Sequence, residues 1–222
     1  MPLAPTRPLV PGLAAVLFDF DGVVLDSEPL HEQALQGLYA ARGWPLDDPR
    51  FFAFKGRTEA VNFAAITARF GGDGEAHRAD YRARYHALLE EPPLVPGVAA
   101  FLDRCLAHGL SLALVTSAPR ATVEQVFDAH DLDRYFHTVV ADDDVTHAKP
   151  HPEPYLLGAA RLGADPARCL VVEDSAHGAA SGAAAGATVA GRIDSFDADA
   201  LRRAGAAFTF DEYADLAAAV WP

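Results

Sequence analysis

Two aspartates, Asp19 and Asp21, are the first residues of the chain whose type and spacing could do chemistry, and they follow directly after the apolar segment Ala14 to Phe18. Such a short apolar run is typical of a strand that is buried on both faces. Residues two apart on an extended chain point to the same side, so both carboxylates would lie together where the strand ends. Like charges in that place are costly unless a cation joins them, and Mg²⁺ is a hard cation that prefers oxygen ligands.

The dipeptide Asp21-Gly22 also allows a simpler interpretation. It is a good turn sequence between two apolar runs, and a plain β-hairpin would use it in the same place. Other segments of the chain are needed to distinguish a hairpin from a metal site.

Composition limits the classes of partner. The chain has 222 residues, of which 50% are hydrophobic, and a formal net charge of −13, so we expect a globular acidic protein that binds neither nucleic acid nor an anionic membrane. No apolar run is long enough to span a membrane, and we expect no signal peptide. The two cysteines, Cys105 and Cys169, do not make a disulfide framework, which favours a cytoplasmic location.

The pattern of elements changes near residue 92. Helical periodicity alone fills the segment from Glu28 to about Glu91, and beyond it helices alternate with apolar strands. The alternation predicts an α/β fold, a Rossmann-like parallel sheet with helices on both faces, and the helical segment is then an inserted cap. We predict a flexible Pro-rich tail over 1–12, a core domain over 13–28 and 94–222, and a helical cap over 29–93.

Three further predicted strands end in polar residues. Thr116-Ser117 follows one strand and could hold a phosphate oxygen, although both residues also suit the start of a helix. Lys149 stands before Pro150 in an extended backbone and could reach an anion, or it could be an exposed loop lysine. Glu173 and Asp174 end the strand that begins at Cys169; one acid could cap the next helix, but two acids are better explained by a shared metal.

These residues occur in the order in which haloacid dehalogenase-like hydrolases carry their motifs. The chain resembles the branch of that family with a helical cap inserted after the first strand, which holds β-phosphoglucomutase, phosphoglycolate phosphatase and sugar-phosphate phosphatases. The resemblance rests on four segments, which are Asp19-Phe20-Asp21-Gly22-Val23, Thr116-Ser117, Lys149-Pro150 and Glu173-Asp174-Ser175. It covers nearly the whole chain from about Leu13 to Ala190.

The resemblance implies a role for each residue of the core. Asp19 would attack phosphorus and form an aspartyl-phosphate, and Asp21 would act as the general acid and then the general base. Thr116 and Lys149 would hold phosphoryl oxygens, with Ser117 beside them at the substrate. Mg²⁺ would be held by four groups, which are Asp19, the Asp21 backbone carbonyl, Glu173 and Asp174.

The resemblance also suggests substrate contacts from the cap. His31 stands where the phosphoglucomutase-like branch has a hinge histidine that orients the general acid, although an ordinary half-exposed helical histidine is an equal alternative. Lys55 and Arg57 resemble the cap segment that meets the distal group of the substrate, but Arg57 departs from the usual spacing after the glycine.

We therefore expect a Mg²⁺-dependent phosphatase that acts on a small phosphorylated metabolite, a sugar phosphate or a similar compound. A β-phosphoglucomutase-like sugar-phosphate mutase uses the same residues and is the alternative. A haloacid dehalogenase has no need of Asp21 or of the metal acids. A signalling receiver domain lacks the helical insertion. We expect a monomer or a weak homodimer, and the sequence does not identify the substrate.

Overall fold

The structure, a computed structural model, describes residues 8–47, 59–90, 92–194 and 196–222. The chain divides into two compact units, one made of Met1–Asp26 and Pro93–Pro222 and the other of Ser27–Pro92. Among the described residues, none of the helices is long and apolar enough to cross a membrane. The cytoplasmic location stays a prediction.

The first unit carries every strand that the structure describes. Its strands are β1 (Ala15–Phe18), β2 (Ser111–Val115), β3 (Thr138–Val140), β4 (Cys169–Glu173), β5 (Thr188–Arg192) and β6 (Phe208–Phe210). The helices in the described residues are α1 (Glu28–Arg42), α2 (Glu59–Phe70), α3 (Gly74–Ala87), α4 (Val98–Ala107), α5 (Arg120–His130), α6 (Glu153–Arg161), α7 (Ala176–Ala184), α8 (Ala198–Arg203) and α9 (Tyr213–Val220). Short 3₁₀ turns lie at Leu88–Glu90, Leu132–Arg134, Asp142–Asp144 and Pro166–Arg168.

The six strands form one sheet in the order β3-β2-β1-β4-β5-β6, and every pair is parallel. Strand β1 lies in the middle, with Phe18 opposite Leu114 of β2 and Val172 of β4. Because β1 has parallel partners on both sides, the hairpin interpretation of Asp21-Gly22 is excluded. The predicted α/β class with a parallel sheet is confirmed.

Helices cover both faces of the sheet. Alternate residues of each strand point to opposite sides, so each strand contributes side chains to both faces. Leu17 belongs to a cluster that includes Tyr155 and Ala159 of α6 and Ala179 of α7. The next residue, Phe18, packs edge-on against Phe101 of α4 at 6.1 Å between ring centroids. This burial on both faces explains why the strands are almost continuously apolar.

Part of the predicted tail is packed rather than loose. The backbone N–H of Leu9 donates to the carbonyl of Ala219 at 3.0 Å, and Val10 is buried. Arg168 donates from Nε to the carbonyl of Gly12 at 2.8 Å. The tail prediction over 1–12 was therefore wrong for residues 9–12, since they contact the sheet unit.

The second unit, taken by itself, is helical wherever it has regular structure in the described residues. Helix α1 buries Leu30, Ala34 and Leu38 on one face, and the residue after its end is Gly43, whose φ of 65° suits a glycine. Asp80 of α3 accepts from Arg84 in its own helix and pairs with Arg42 at the end of α1.

Candidate active site

The carboxyl ends of β1, β2 and β4 bring the predicted core residues to one edge of the sheet. Asp19 follows β1 and donates its backbone N–H to Val172 of β4 at 2.9 Å. Thr116 follows β2, and Glu173 is the last residue of β4. These strands are neighbours in the sheet, so residues far apart in sequence are placed side by side. Ligands bind at this edge in open α/β sheets.

Lys149 joins the ends of these strands. Its ammonium group donates to Asp19 Oδ1 at 2.6 Å, to Glu173 Oε1 at 2.7 Å and to the carbonyl of Val115 at 3.0 Å. The side chain is only 7% exposed. All three N–H donors of the ammonium group are used, so Lys149 is an inward-facing residue and the exposed-lysine interpretation is excluded.

The carboxylate of Glu173 is completely buried and accepts five hydrogen bonds. Oε1 accepts from Lys149 and from the hydroxyl of Tyr155 at 2.8 Å. Oε2 accepts from the backbone N–H groups of Asp174 and Ser175 and from the Ser175 hydroxyl. A carboxylate offers about four lone-pair positions, so these donors occupy its hydrogen-bonding capacity.

Asp174 lies against the turn that follows β1. Within this turn the N–H of Gly22 donates to the carbonyl of Leu25 at 2.8 Å, and Gly22 has φ 69°. A Cβ on Gly22 would overlap the carboxylate of Asp174, so only glycine leaves room for that side chain. Asp21 is half-buried in the same turn.

One oxygen from each of Asp19, Glu173 and Asp174 lies within 4.8 Å of the others. Burial, followed by the charge of Glu173, raises the pKa of Asp19 to about 7, although Lys149 acts in the opposite direction. Burial, followed by Glu173 and Asp19, also raises the pKa of Asp174 well above its ordinary value. The cluster therefore holds more negative charge than Lys149 neutralises, and oxygen donors in this state suit a hard divalent cation.

Thr116 and Ser117 differ in exposure. Thr116 is buried, and its hydroxyl oxygen accepts from the N–H of Ala118 at 2.9 Å, which shapes the turn before α5. Ser117 is exposed at the end of the strand. The residue on the amino side of α5 is Pro119, whose ring makes no side-chain cap, so neither of the two predicted residues is the helix cap.

The predicted cap residues are only partly described. In the helical unit His31 pairs through Nδ1 with the hydroxyl of Tyr81 at 2.6 Å and stacks on Tyr85 at 4.4 Å between centroids. Its predicted effect on the general acid stays a prediction. Lys55 and Arg57 lie outside the described residues.

Sequence reasoning missed three residues that hold this site. Tyr155 donates to Glu173, and its ring lies 4.8 Å from the ammonium group of Lys149. Gly178 of α7 lies directly against the Glu173 carboxylate, so a Cβ there would overlap it. Arg192 at the end of β5 donates to the carbonyl of Gly22 at 2.7 Å. The one available signal concerned Gly178, because a glycine inside a helix is often there to allow close packing.

A family model described as haloacid dehalogenase-like hydrolase matches residues 13–186. The chain belongs to this family of hydrolases. It is 35% identical over 192 residues to the protein CbbY of Rhodobacter capsulatus, covering 80% of this chain and 84% of that protein. It is 32% identical over 179 residues to hexitol phosphatase B of Escherichia coli K12, covering 75% of this chain and 77% of that enzyme. The resemblance stated from the motifs is confirmed.

A solved structure supports the same assignment. The crystal structure of a HAD family hydrolase from Deinococcus radiodurans R1, with bound phosphate and sodium, has a TM-score of 0.81 and 30% sequence identity. The similarity covers 94% of this chain and 95% of that one. The fold over nearly the whole chain is therefore that of this family.

Replacing Gly178 by alanine should destabilise the protein, although glycine-to-alanine changes inside helices ordinarily stabilise. The new methyl group would overlap Glu173 and force its carboxylate away from Lys149 and Tyr155. We expect a loss of about 1–3 kcal/mol in the free energy of unfolding, measured by urea denaturation. Gly37→Ala in α1 is the control, because its Cβ would meet only the flexible end of Arg84, at 3.0 Å. Equal effects of the two changes would contradict this packing argument.

Mg²⁺ should stabilise the protein more at about pH 8 than at about pH 5.5, because protons compete with the cation for Asp19 and Asp174, whose pKa values are raised. The folded-state pKa of Asp19, about 7, is above its ordinary 3.8, so without Mg²⁺ this group's contribution to stability falls as pH rises between those values. At Mg²⁺ concentrations of about 100 times Kd we expect an increase in Tm of about 5–10 °C near pH 8, by differential scanning fluorimetry. The increase should be lost in Asp174→Asn, and a pH-independent shift that survives this change would contradict the assignment.

Proposed function

We propose that this chain is a Mg²⁺-dependent phosphatase that hydrolyses a small phosphorylated metabolite, a sugar phosphate or a similar compound, through an aspartyl-phosphate on Asp19. The observation that carries the proposal is the contact of Asp19 Oδ1 with the buried ammonium group of Lys149, in a cluster with Asp174 at the edge of a parallel sheet. Membership of a hydrolase family and the similarity to hexitol phosphatase B support it.

In the first step a carboxylate oxygen of Asp19 attacks the phosphorus atom, and the bond from phosphorus to the ester oxygen breaks. Asp21 gives its proton to the leaving oxygen. In the second step a water molecule attacks phosphorus and gives a proton to Asp21, and the bond to Asp19 breaks. Inorganic phosphate leaves, and both aspartates return to their starting state.

Lys149 orients the carboxylate of Asp19 and neutralises part of its negative charge. The ammonium group fixes one oxygen of Asp19, which leaves the other carboxylate oxygen for attack. A phosphoryl group bound to Asp19 would lie beside the same positive charge, which suits a reaction that depends on positioning and charge neutralisation. Thr116 and Ser117, at the end of the neighbouring strand, are proposed to hold phosphoryl oxygens.

Asp19, Asp174 and the backbone carbonyl of Asp21 are proposed to hold Mg²⁺, which when bound neutralises charge on the phosphoryl oxygens. We assign Glu173 to a different task from the one the sequence suggested. Its five hydrogen bonds leave little capacity for a metal, and they connect Lys149 to the backbone that carries Asp174. Glu173 is therefore proposed as a positioning residue.

The helical unit is proposed to act as a cap that selects the substrate, with His31, Lys55 and Arg57 as candidate contacts. Its position in the sequence, between β1 and α4, places it after the strand that ends in the nucleophile. Caps of this kind exclude water and are able to open and close. The monomer or weak homodimer expected from the sequence stays a prediction.

The test is phosphate release from a panel of phosphorylated sugars and sugar alcohols, with and without Mg²⁺. We expect release with at least one of these esters, lost on chelation and reduced on the order of 10³-fold or more in Asp19→Asn. Asp128→Asn is the matched control, because Asp128 is an exposed acid on α5. Release that is unaffected by Asp19→Asn would overturn the proposal.

The panel includes β-glucose 1-phosphate with product analysis, because a mutase returns the phosphoryl group to a sugar. Formation of an isomeric sugar phosphate, with little free phosphate, would establish the mutase instead. The same two aspartates would still be needed in that case.

A further inference from the structure

Three side chains outside the acidic site form a second cluster of metal-ligand type, which we call the imidazole cluster: His147, His151 and Glu153. Each offers a ligand atom within 4.8 Å of the other two. Nδ1 of His147 lies 2.7 Å from Glu153 Oε2, and Nδ1 of His151 lies 3.9 Å from the same oxygen. The two rings are 4.5 Å apart between centroids and tilted by 31°. Two nitrogen donors and one oxygen donor therefore lie close enough together to be ligands of one ion, with His151 Nδ1 also accepting from the backbone N–H of Glu153 at 3.2 Å.

The backbone holds this arrangement in place. The N–H groups of Thr146 and His147 donate to the two carboxylate oxygens of Glu153 at 2.7 and 3.1 Å. The hydroxyl of Ser181 donates to the carbonyl of His151 at 2.6 Å, which fixes the other side of the loop to α7. Little of the loop would need to be ordered on binding, and preorganisation of this kind raises affinity.

The chemistry of the donors separates the imidazole cluster from the acidic site. Imidazole nitrogens suit Zn²⁺, Cu²⁺ and Ni²⁺, whereas carboxylate and carbonyl oxygens suit Mg²⁺. The side chains of His147, His151 and Glu153 are 60%, 50% and 28% exposed, so an ion can enter from solvent and keep water in its remaining positions.

We propose that His147, His151 and Glu153 form a second cation site, which takes a divalent transition-metal ion such as Zn²⁺. The ion takes the place of the hydrogen between His147 Nδ1 and Glu153 Oε2, and the imidazole proton moves to Nε2. The charge of the site is favourable, since two neutral imidazoles and one carboxylate leave one negative charge for the cation. This site goes beyond the proposed phosphatase reaction and does not depend on it.

The imidazole cluster has a direct connection to the acidic site through the chain. Lys149 lies between the two histidines in sequence, two residues from each. An ion bound to both histidines would close a five-residue ring of backbone around Lys149 and stabilise its loop. Binding should therefore raise the thermal stability of the protein as well as saturate one site per chain.

The test is isothermal titration of the full chain with Zn²⁺ in the presence of excess Mg²⁺, which competes with Zn²⁺ for the acidic carboxylates. We expect one Zn²⁺ per chain, with an affinity at least ten times weaker in the double variant His147→Ala/His151→Ala. His108→Ala is the matched control, because His108 is exposed and lies outside the cluster. The Tm increase caused by Zn²⁺ should be lost with the same double variant and kept in the control.

Nuclear magnetic resonance of the ¹⁵N-labelled imidazoles gives a second readout that does not depend on activity. Zn²⁺ should shift the ring signals of His147 and His151 and leave that of His108 unchanged. Saturable binding with equal stoichiometry and affinity after both histidines are replaced would overturn the proposal, and so would the absence of saturable binding to the wild-type chain.

Discussion

The site depends on one buried ammonium group. Lys149 lies between Asp19 and Glu173 and also donates to the end of β2, so a single side chain connects three strands at their carboxyl ends. Burial alone would lower the pKa of this lysine, but the charges of Asp19 and Glu173 outweigh it and keep the group protonated. Removing one partner from such a buried pair costs about 3–5 kcal/mol, because the other charge is left uncompensated. The orientation of Asp19, the proposed nucleophile, and much of the local stability therefore rest on the same interaction.

When all are ionised, three acids and one lysine carry an excess of negative charge, and this excess is the proposed basis for binding a cation. The sheet supplies the geometry at little cost, because parallel strands with buried faces hold their ends in fixed register. Gly22 and Gly178 then make room for Asp174 and Glu173 at positions where a larger residue would push the carboxylates apart. The register of the strands, the two glycines and the balance of charge thus act together to place the carboxylates close to one another.

Much of the fold could be predicted from the sequence, because buried parallel strands are continuous apolar runs and the helices between them have clear periodicity. The strand ends identified Asp19, Thr116 and Glu173 for the same reason. The partners of each side chain could not be predicted in this way. Lys149 donates to Asp19 and Glu173, and Tyr155 donates to Glu173. These contacts depend on packing between elements that are far apart in sequence.

The central claim is that Asp19 becomes phosphorylated during turnover. The most direct measurement is to quench the reaction with acid, reduce the protein with borohydride and map its peptides by mass spectrometry, since reduction converts an aspartyl-phosphate into homoserine. We expect homoserine at position 19 when a hydrolysed phosphoester and Mg²⁺ are both present, and unmodified aspartate when either is omitted. Homoserine at Asp21 or Asp174 instead, or its complete absence during rapid turnover, would contradict it.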